Sequence, residues 1–143
     1  MKRYSIVAIL LCAFTLSIYA ATKPVAFKDV PELVQQAVLA NFQQEQIQFI
    51  TSKKEYRNYE YEFVLKDGTT LKYDAKAKFR RVKNKDGIKE VFLPENILQY
   101  VRNTFPNCVV TDYKKESYRQ KVKLDDQMGL VFDKRGKFMH IDF

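Results

Sequence analysis

Few residues in this chain could carry covalent chemistry, and none stands where a reaction would need it. His140 is the single histidine. With no cysteine, histidine or carboxylate cluster at ligand spacing around it, it does not read as a zinc site. Ser52 and Ser117 are the serines beyond the first twenty residues, and neither sits in a nucleophile motif. Asp67, Asp74, Asp86 and Asp133 stand singly at turn positions, where a carboxylate accepts backbone N–H groups. Asp125 and Asp126 are adjacent, so they are expected to point apart rather than converge on calcium. The sequence therefore argues for no enzyme and no cofactor, with calcium as the one metal kept in view.

The charged and aromatic residues suit binding better than catalysis. Arg119, Lys121 and Lys123 alternate along one strand face, with Lys114 and Lys115 just before them. Glu60 and Glu62 occupy the matching face of an earlier strand. Opposite signs on equivalent surfaces would make a polarised docking surface, since charge complementarity steers partners. The alternative is a pair of solvated strand faces. Tyrosine is dense at Tyr56, Tyr59, Tyr61, Tyr113 and Tyr118, and tyrosine is frequent at interface hot spots. Tyr59, Tyr61 and Tyr118 share the apolar phase of their strands and are expected in the core. Tyr56 and Tyr113, nearer strand starts, are expected at the surface. The partner-binding candidates are thus Tyr56, Glu60, Glu62, Tyr113, Arg119, Lys121 and Lys123.

These side chains need a scaffold, and the sequence supplies one twice. Val30-Pro31-Glu32 and Leu93-Pro94-Glu95 open two similar units, related by a shift of 63 residues. The shift carries Val34, Val38 and Phe42 onto Ile97, Val101 and Phe105, at helical spacing. Proline is tolerated at a helix start, and a first-turn glutamate suits the helix dipole. After each helix the apolar period becomes two. Tyr59, Tyr61, Phe63 and Leu65 answer Tyr118, Gln120, Val122 and Leu124 with a shift of 59. Lys66-Asp67-Gly68-Thr69 reads as a hairpin turn. Leu71 to Phe79 then aligns with Leu130 to Phe138 as strand, turn, strand. Gly136 suits a left-handed turn position, whereas Ala77 predicts strain or a different shape there. Short strands near Ile47–Ile50 and Val109–Tyr113 precede the hairpins, and Asn84-Lys85-Asp86-Gly87 joins the copies.

The expected fold is α+β: two tandem helix-plus-four-stranded antiparallel units sharing one sheet, over about 28–86 and 90–143. One copy alone would be marginal, because small units bury too little surface.

The chain start reads as an address. Met1-Lys2-Arg3 is basic, Tyr4 to Ile18 is nearly all apolar, and Ala20 and Ala21 are small. That order is a secretory signal over residues 1–20, followed by a domain over 21–143. The apolar run is short for a spanning helix, although an uncleaved anchor is the alternative. The expectation is a periplasmic or secreted protein with no integral membrane segment after cleavage. Cys12 would leave with the leader and Cys108 would stand alone, excluding an internal disulfide. Cys108 reads as a small apolar residue beside Val109, or as half of an intermolecular bridge.

Bulk composition agrees. The 143 residues are 46% hydrophobic, with four glycines and four prolines, as in a globular chain. Net charge is +8, or +6 without Lys2 and Arg3. That favours an anionic ligand over a cationic one. An exported protein without an aromatic–basic motif is not expected to bind nucleic acid.

The arrangement resembles the PepSY-like, beta-lactamase-inhibitor-like family of bacterial periplasmic proteins. The residues carrying the resemblance are Leu93-Pro94-Glu95-Asn96-Ile97, Tyr100-Val101, Phe105-Pro106, Leu130 to Phe138 and Ile141-Asp142. The first copy adds Val30-Pro31, Phe42, Asp67-Gly68-Thr69 and Leu71 to Asp74. The resemblance implies a two-repeat fold like that of an inhibitor that binds beta-lactamase through a concave sheet. It also implies a protein or peptide partner and the possibility of calcium, with no motif that fixes calcium ligands. The functional expectation is a non-catalytic exported binding module, or else a periplasmic sensor of calcium or an anionic ligand.

Overall fold

The structure is a computed structural model that describes residues 22–143. The leader expected over 1–20, with Cys12, lies outside the described residues. Nine antiparallel strands form one meander in sequence order. They are β1 (Thr22–Pro24), β2 (Ile47–Glu55), β3 (Asn58–Leu65), β4 (Thr70–Asp74), β5 (Phe79–Lys83), β6 (Val110–Lys115), β7 (Arg119–Leu124), β8 (Gly129–Asp133) and β9 (Phe138–Asp142). Helix α1 (Glu32–Leu39) precedes β2, and α2 (Glu95–Thr104) precedes β6. Each copy is thus one helix and four strands in a shared sheet, as expected. The three-residue β1 was not foreseen, since it carries a proline and no alternation. It pairs with β2 at the sheet edge, a place where proline is tolerated.

Pro31 and Pro94 cap the helices at φ −52° and −56°, and Glu32 and Glu95 fill the first turns. Val34 and Val38 of α1, and Ile97, Leu98 and Val101 of α2, are buried. Phe42 falls just past α1, but its N–H still bonds to the Val38 carbonyl and its ring is buried.

The helices cover one face only. On that face Ile50, Phe63, Leu71, Val82, Tyr113, Val122 and Leu130 are cross-strand partners in one row, all buried. Such a row removes seven large side chains from water, worth roughly 1.5–3 kcal/mol for each; its continuation on β9, Ile141, is exposed at the edge. The joint between the copies is aromatic. Phe79 of β5 lies 5.7 Å from Phe92 and 5.5 Å from Tyr113, while Phe92 lies 6.0 Å from Phe42. This stack connects the end of α1, the 3-10 turn Glu90–Phe92, β5 and β6. The copies therefore share one core.

Tyr113 corrects an expectation. Its place near a strand start predicts a surface residue, yet only 2% of it is exposed. A bulge between Val110 and Asp112 shifts the phase of β6, so Val110 and Tyr113 both face the core at a spacing of three. Burial pushes the Tyr113 phenol up to about 12, and its hydroxyl donates to the Gln120 side-chain oxygen. Tyr118 errs the other way: it falls in the β6–β7 turn and is exposed. Tyr59 keeps its core phase but stands at the sheet corner, half exposed, while Tyr61 packs against the core.

Candidate binding face

The opposite sheet face carries no helix. Its central row runs Thr51, Glu62, Lys72, Arg81, Lys114, Lys121, Val131, His140 across β2 to β9. Glu60, Arg119 and Lys123 share this phase, so the expected charged residues do lie on one common surface. Tyr56 stands at the tip of the β2–β3 hairpin, fully exposed, with φ +52°. Tyr113 is the one candidate that the fold removes.

The charge pattern differs from a simple contrast between copies. Lys72, Arg81, Lys114 and Lys121 are direct neighbours on four successive strands that span both copies. Like charges directly opposite each other are unfavourable, and each of these cations has its own carboxylate. The Lys72 ammonium lies 3.6 Å from Glu60 and 3.3 Å from Glu62. Arg81 donates twice to Asp112, at 2.9 and 2.5 Å. Lys114 lies 3.1 Å from Glu116, and Lys121 lies 3.7 Å from Asp142. Partly exposed pairs of this kind contribute only about 0–1 kcal/mol each. Their effect is to hold a basic ladder in register. The Arg81 fork, on the mostly buried Asp112, is the firm point; its hydrogen bond with Asp112 keeps the guanidinium still more firmly protonated. On β3 the carboxylates Glu60 and Glu62 are both compensated by Lys72.

Lys72, Arg80, Arg81 and Lys114 were not among the sequence candidates. Outward alternation along β4, β5 and β6 is the signal for Lys72, Arg81 and Lys114, while Arg80, adjacent to Arg81, falls outside that phase. That signal runs across strands that are not equivalent in the two copies.

An open cleft of about 960 Å³ occupies one end of this face. Its walls are the β2–β3 hairpin, with Tyr56 and Tyr59, and the β6–β7 hairpin, with Lys115 and Glu116. Arg119 donates to Glu116 at 2.6 Å, and this bond, helped by Lys114, holds the Glu116 carboxyl below its usual range. A second hollow of about 300 Å³ continues toward β9, between Arg81, Lys121, Lys123 and Asp142. The nine-residue β2 outreaches its six-residue counterpart β6, so the first copy supplies the taller wall.

The groups considered for catalysis lie far apart. Ser52 is on β2 and His140 on β9, seven strands away, roughly 33 Å at the usual strand spacing. Ser117 is in the β6–β7 turn.

Asp125 and Asp126 do not point apart as expected. Gln127 takes φ +71°, and the tight turn brings both carboxylates and the Cys108 thiol within 4.8 Å of one another. Burial and then the two carboxylates push that thiol up. The group does not fit calcium, which takes six to eight oxygen ligands. Asp125 Oδ1 already accepts the Val109 N–H at 3.1 Å, and Asp126 Oδ1 the Met128 N–H at 3.0 Å. A thiol is a soft ligand that hard calcium does not favour.

Fold and face together define a two-repeat protein with one helix-covered surface and one charged, cleft-bearing surface. The chain belongs to the beta-lactamase-inhibitor-like, PepSY-like family, whose pattern matches residues 17–81 and again 59–140. Solved structures share the fold. A candidate calcium-regulated periplasmic protein from Bacteroides thetaiotaomicron is 23% identical, with TM-score 0.78, over 85% of this chain and 97% of that one. Two candidate periplasmic proteins from Bacteroides vulgatus match with the same TM-score of 0.78, at 20% and 16% identity. They too align over 85% of this chain, and over 97% and 99% of their own. No curated protein matches the sequence. Among the described residues, no helix is long and apolar enough to cross a membrane.

Proposed function

We propose that this chain is a non-catalytic binding module, exported to the periplasm or secreted, that holds a protein or peptide partner on its helix-free sheet face. The observation that carries the reading is the cleft itself. It is walled by two hairpins of unequal height, floored by a basic ladder held in register, and edged by the exposed ring of Tyr56. Such a surface suits an acidic segment, because complementary charge sets both encounter and register. Export is supported by the basic–apolar–small order of residues 1–21 and by the periplasmic description of the structural relatives.

The test is affinity capture from periplasmic extract with three baits. These are the native chain, a variant with Arg119, Lys121 and Lys123 changed to glutamate, and a control changed at Gln36 and Gln99 on the helix side. The reading expects one set of proteins on the native and control baits that is missing from the charge-reversed bait. Identical recovery on all three would show that the open face is not the docking surface.

The sensor alternative divides in two. Its calcium form finds no adequate ligand set at Asp125 and Asp126. A midpoint of thermal unfolding unmoved by millimolar Ca²⁺ would remove it, since binding to the native state must raise that midpoint. Its anionic-ligand form is favoured by the excess of cations along the sheet.

A further inference from the structure

The charge of this molecule is polarised along its strands. The four short connections at one end of the sheet, 56–57, 75–78, 116–118 and 134–137, carry six basic residues and one acidic residue. The two short connections at the other end, 66–69 and 125–128, carry one basic residue and three acidic ones. At the basic end lies a small cavity of about 80 Å³, bounded by Lys78, Arg80, Lys115, Glu116, Ser117, Gln120 and Lys134. We infer that this cavity is a binding site for a phosphate-class oxyanion, either free or as the headgroup of an anionic lipid.

The cations are poised for such a ligand. Among the described residues, Lys78, Lys115 and Lys134 have no carboxylate within ion-pair distance, and Arg80 has only Asp74, at 3.4 Å. Glu116, the one acidic residue of the lining, is engaged by Lys114 and Arg119. Four like charges around one hollow repel each other, and an anion between them converts repulsion into attraction. The size is right for a compact group, about two to three times the volume that one water takes in the liquid. Lysine and arginine with a hydroxyl donor are the usual cradle of phosphate oxygens.

The floor is fixed rather than loose. Gln120 is 3% exposed. Its amide nitrogen donates to the carbonyls of Asp133 and Lys134 at 3.1 and 3.4 Å, and its oxygen accepts from Tyr113. This chain of bonds anchors the turn that carries Lys134 to the buried core. Lys78 and Arg80 come from the first copy, the other groups from the second. The site therefore exists once, at the seam, and repetition of the fold does not generate it twice. It borders the open cleft through Arg80 and Lys115 but does not depend on a partner docking there.

The test titrates the purified protein with sodium phosphate against sodium chloride at constant ionic strength, following backbone amide shifts. In parallel it measures co-sedimentation with phosphatidylcholine vesicles, with and without phosphatidylglycerol. A free-anion site gives saturable shifts at Ser117 and Lys134, at least tenfold weaker in a Lys78→Gln/Lys134→Gln variant and unchanged in Lys28→Gln/Lys66→Gln, two exposed lysines away from the cavity. A headgroup site gives sedimentation only with phosphatidylglycerol, lost in the same Lys78/Lys134 variant. Ser117→Asp supplies an independent readout. It places a carboxylate in the cavity, so it should raise the unfolding midpoint while abolishing the phosphate response. Non-saturating shifts with no vesicle binding, or a phosphate or vesicle response of native strength in the Lys78/Lys134 variant, overturns the inference and leaves the open-face reading untouched.

Discussion

The β4–β5 and β8–β9 turns have the same opening aspartate and the same hydrogen bonds, yet one holds Ala77 and the other Gly136. Asp74 Oδ1 accepts the N–H groups of Lys76 and Lys78, and Asp133 Oδ1 those of Arg135 and Lys137. Both turn residues are left-handed, with φ +63° and +85°. The difference comes from the helices. Asn96 at the start of α2 donates to the Arg135 carbonyl at 2.7 Å, and a Cβ on Gly136 would overlap that side-chain amide. The matching residue of α1 is Leu33, which is 61% exposed. In the second copy the helix is bolted to the turn. In the first copy the turn carries its Cβ in backbone strain instead, and among the described residues no α1 side chain hydrogen-bonds to the sheet.

The largest effect is expected where this contrast is broken altogether, at the seam. Phe79 touches Tyr73, Phe92 and Tyr113. Phe79→Ala should cost about 3 kcal/mol, the low end for deleting a core phenylalanine, because the ring is half-buried. Calorimetry should show a lower midpoint and a broadened transition, with the first copy melting ahead of the bolted second. A single sharp transition at the native midpoint would mean that the stack does not join the copies.

Next comes the bolt itself. Gly136→Ala should cost about 2–3 kcal/mol, from a left-handed alanine and the overlap with Asn96. Asn96→Ala in the same chain should restore much of the loss, while Ala77→Gly should change stability by no more than about 1 kcal/mol. Denaturant midpoints decide. An equal response at 77 and 136 would dissolve the distinction between the turns.

A smaller effect sharpens the comparison at the hairpin tips. Tyr56 is left-handed and fully exposed, whereas no residue of the β6–β7 turn has positive φ. Tyr56→Gly should stabilise the chain by about 1 kcal/mol by removing that strain. It should also weaken partner capture on the open face. A stabilised variant that captures as well as the native chain would mark the ring as incidental.

The sequence made the frame of this molecule legible because periodicity reports burial. Val34 and Val38, Ile97 and Val101, and the alternation from Tyr59 to Leu65 all showed which side meets the core. It misled where one residue changes phase. The bulge in β6 leaves no mark on composition, so Tyr113 was assigned outward although it centres the buried row. The basic ladder and the oxyanion cavity were hidden for another reason. Lys72, Arg81, Lys114 and Lys121, or Lys78 and Lys134, become neighbours only through strand pairing across the seam, and no linear spacing relates them. The convergence of Asp125, Asp126 and Cys108 likewise depends on the left-handed Gln127.

The smallest effect expected in the second-copy turn is electrostatic. The Lys137 and Arg135 N–H groups hold the Asp133 carboxyl below its ordinary value of 3.8, in that order of importance. A carboxyl depressed in the folded state stabilises the fold above its unfolded value, and that contribution disappears as pH falls through the folded one. Between pH 7 and about 4 the turn should therefore be indifferent to acid. Below about 3.8 the native chain should lose stability with each step downward. Asp133→Asn keeps an oxygen for the two N–H groups but cannot titrate. It should be slightly less stable at neutral pH, because a neutral acceptor is weaker than a charged one, and its acid limb should be flatter. Urea midpoints at pH 7 and at pH 3 measure the difference. Parallel acid limbs in the variant and the native chain would place the acid sensitivity elsewhere, with Glu116, held low by Arg119 at the cleft wall, as the next group to neutralise.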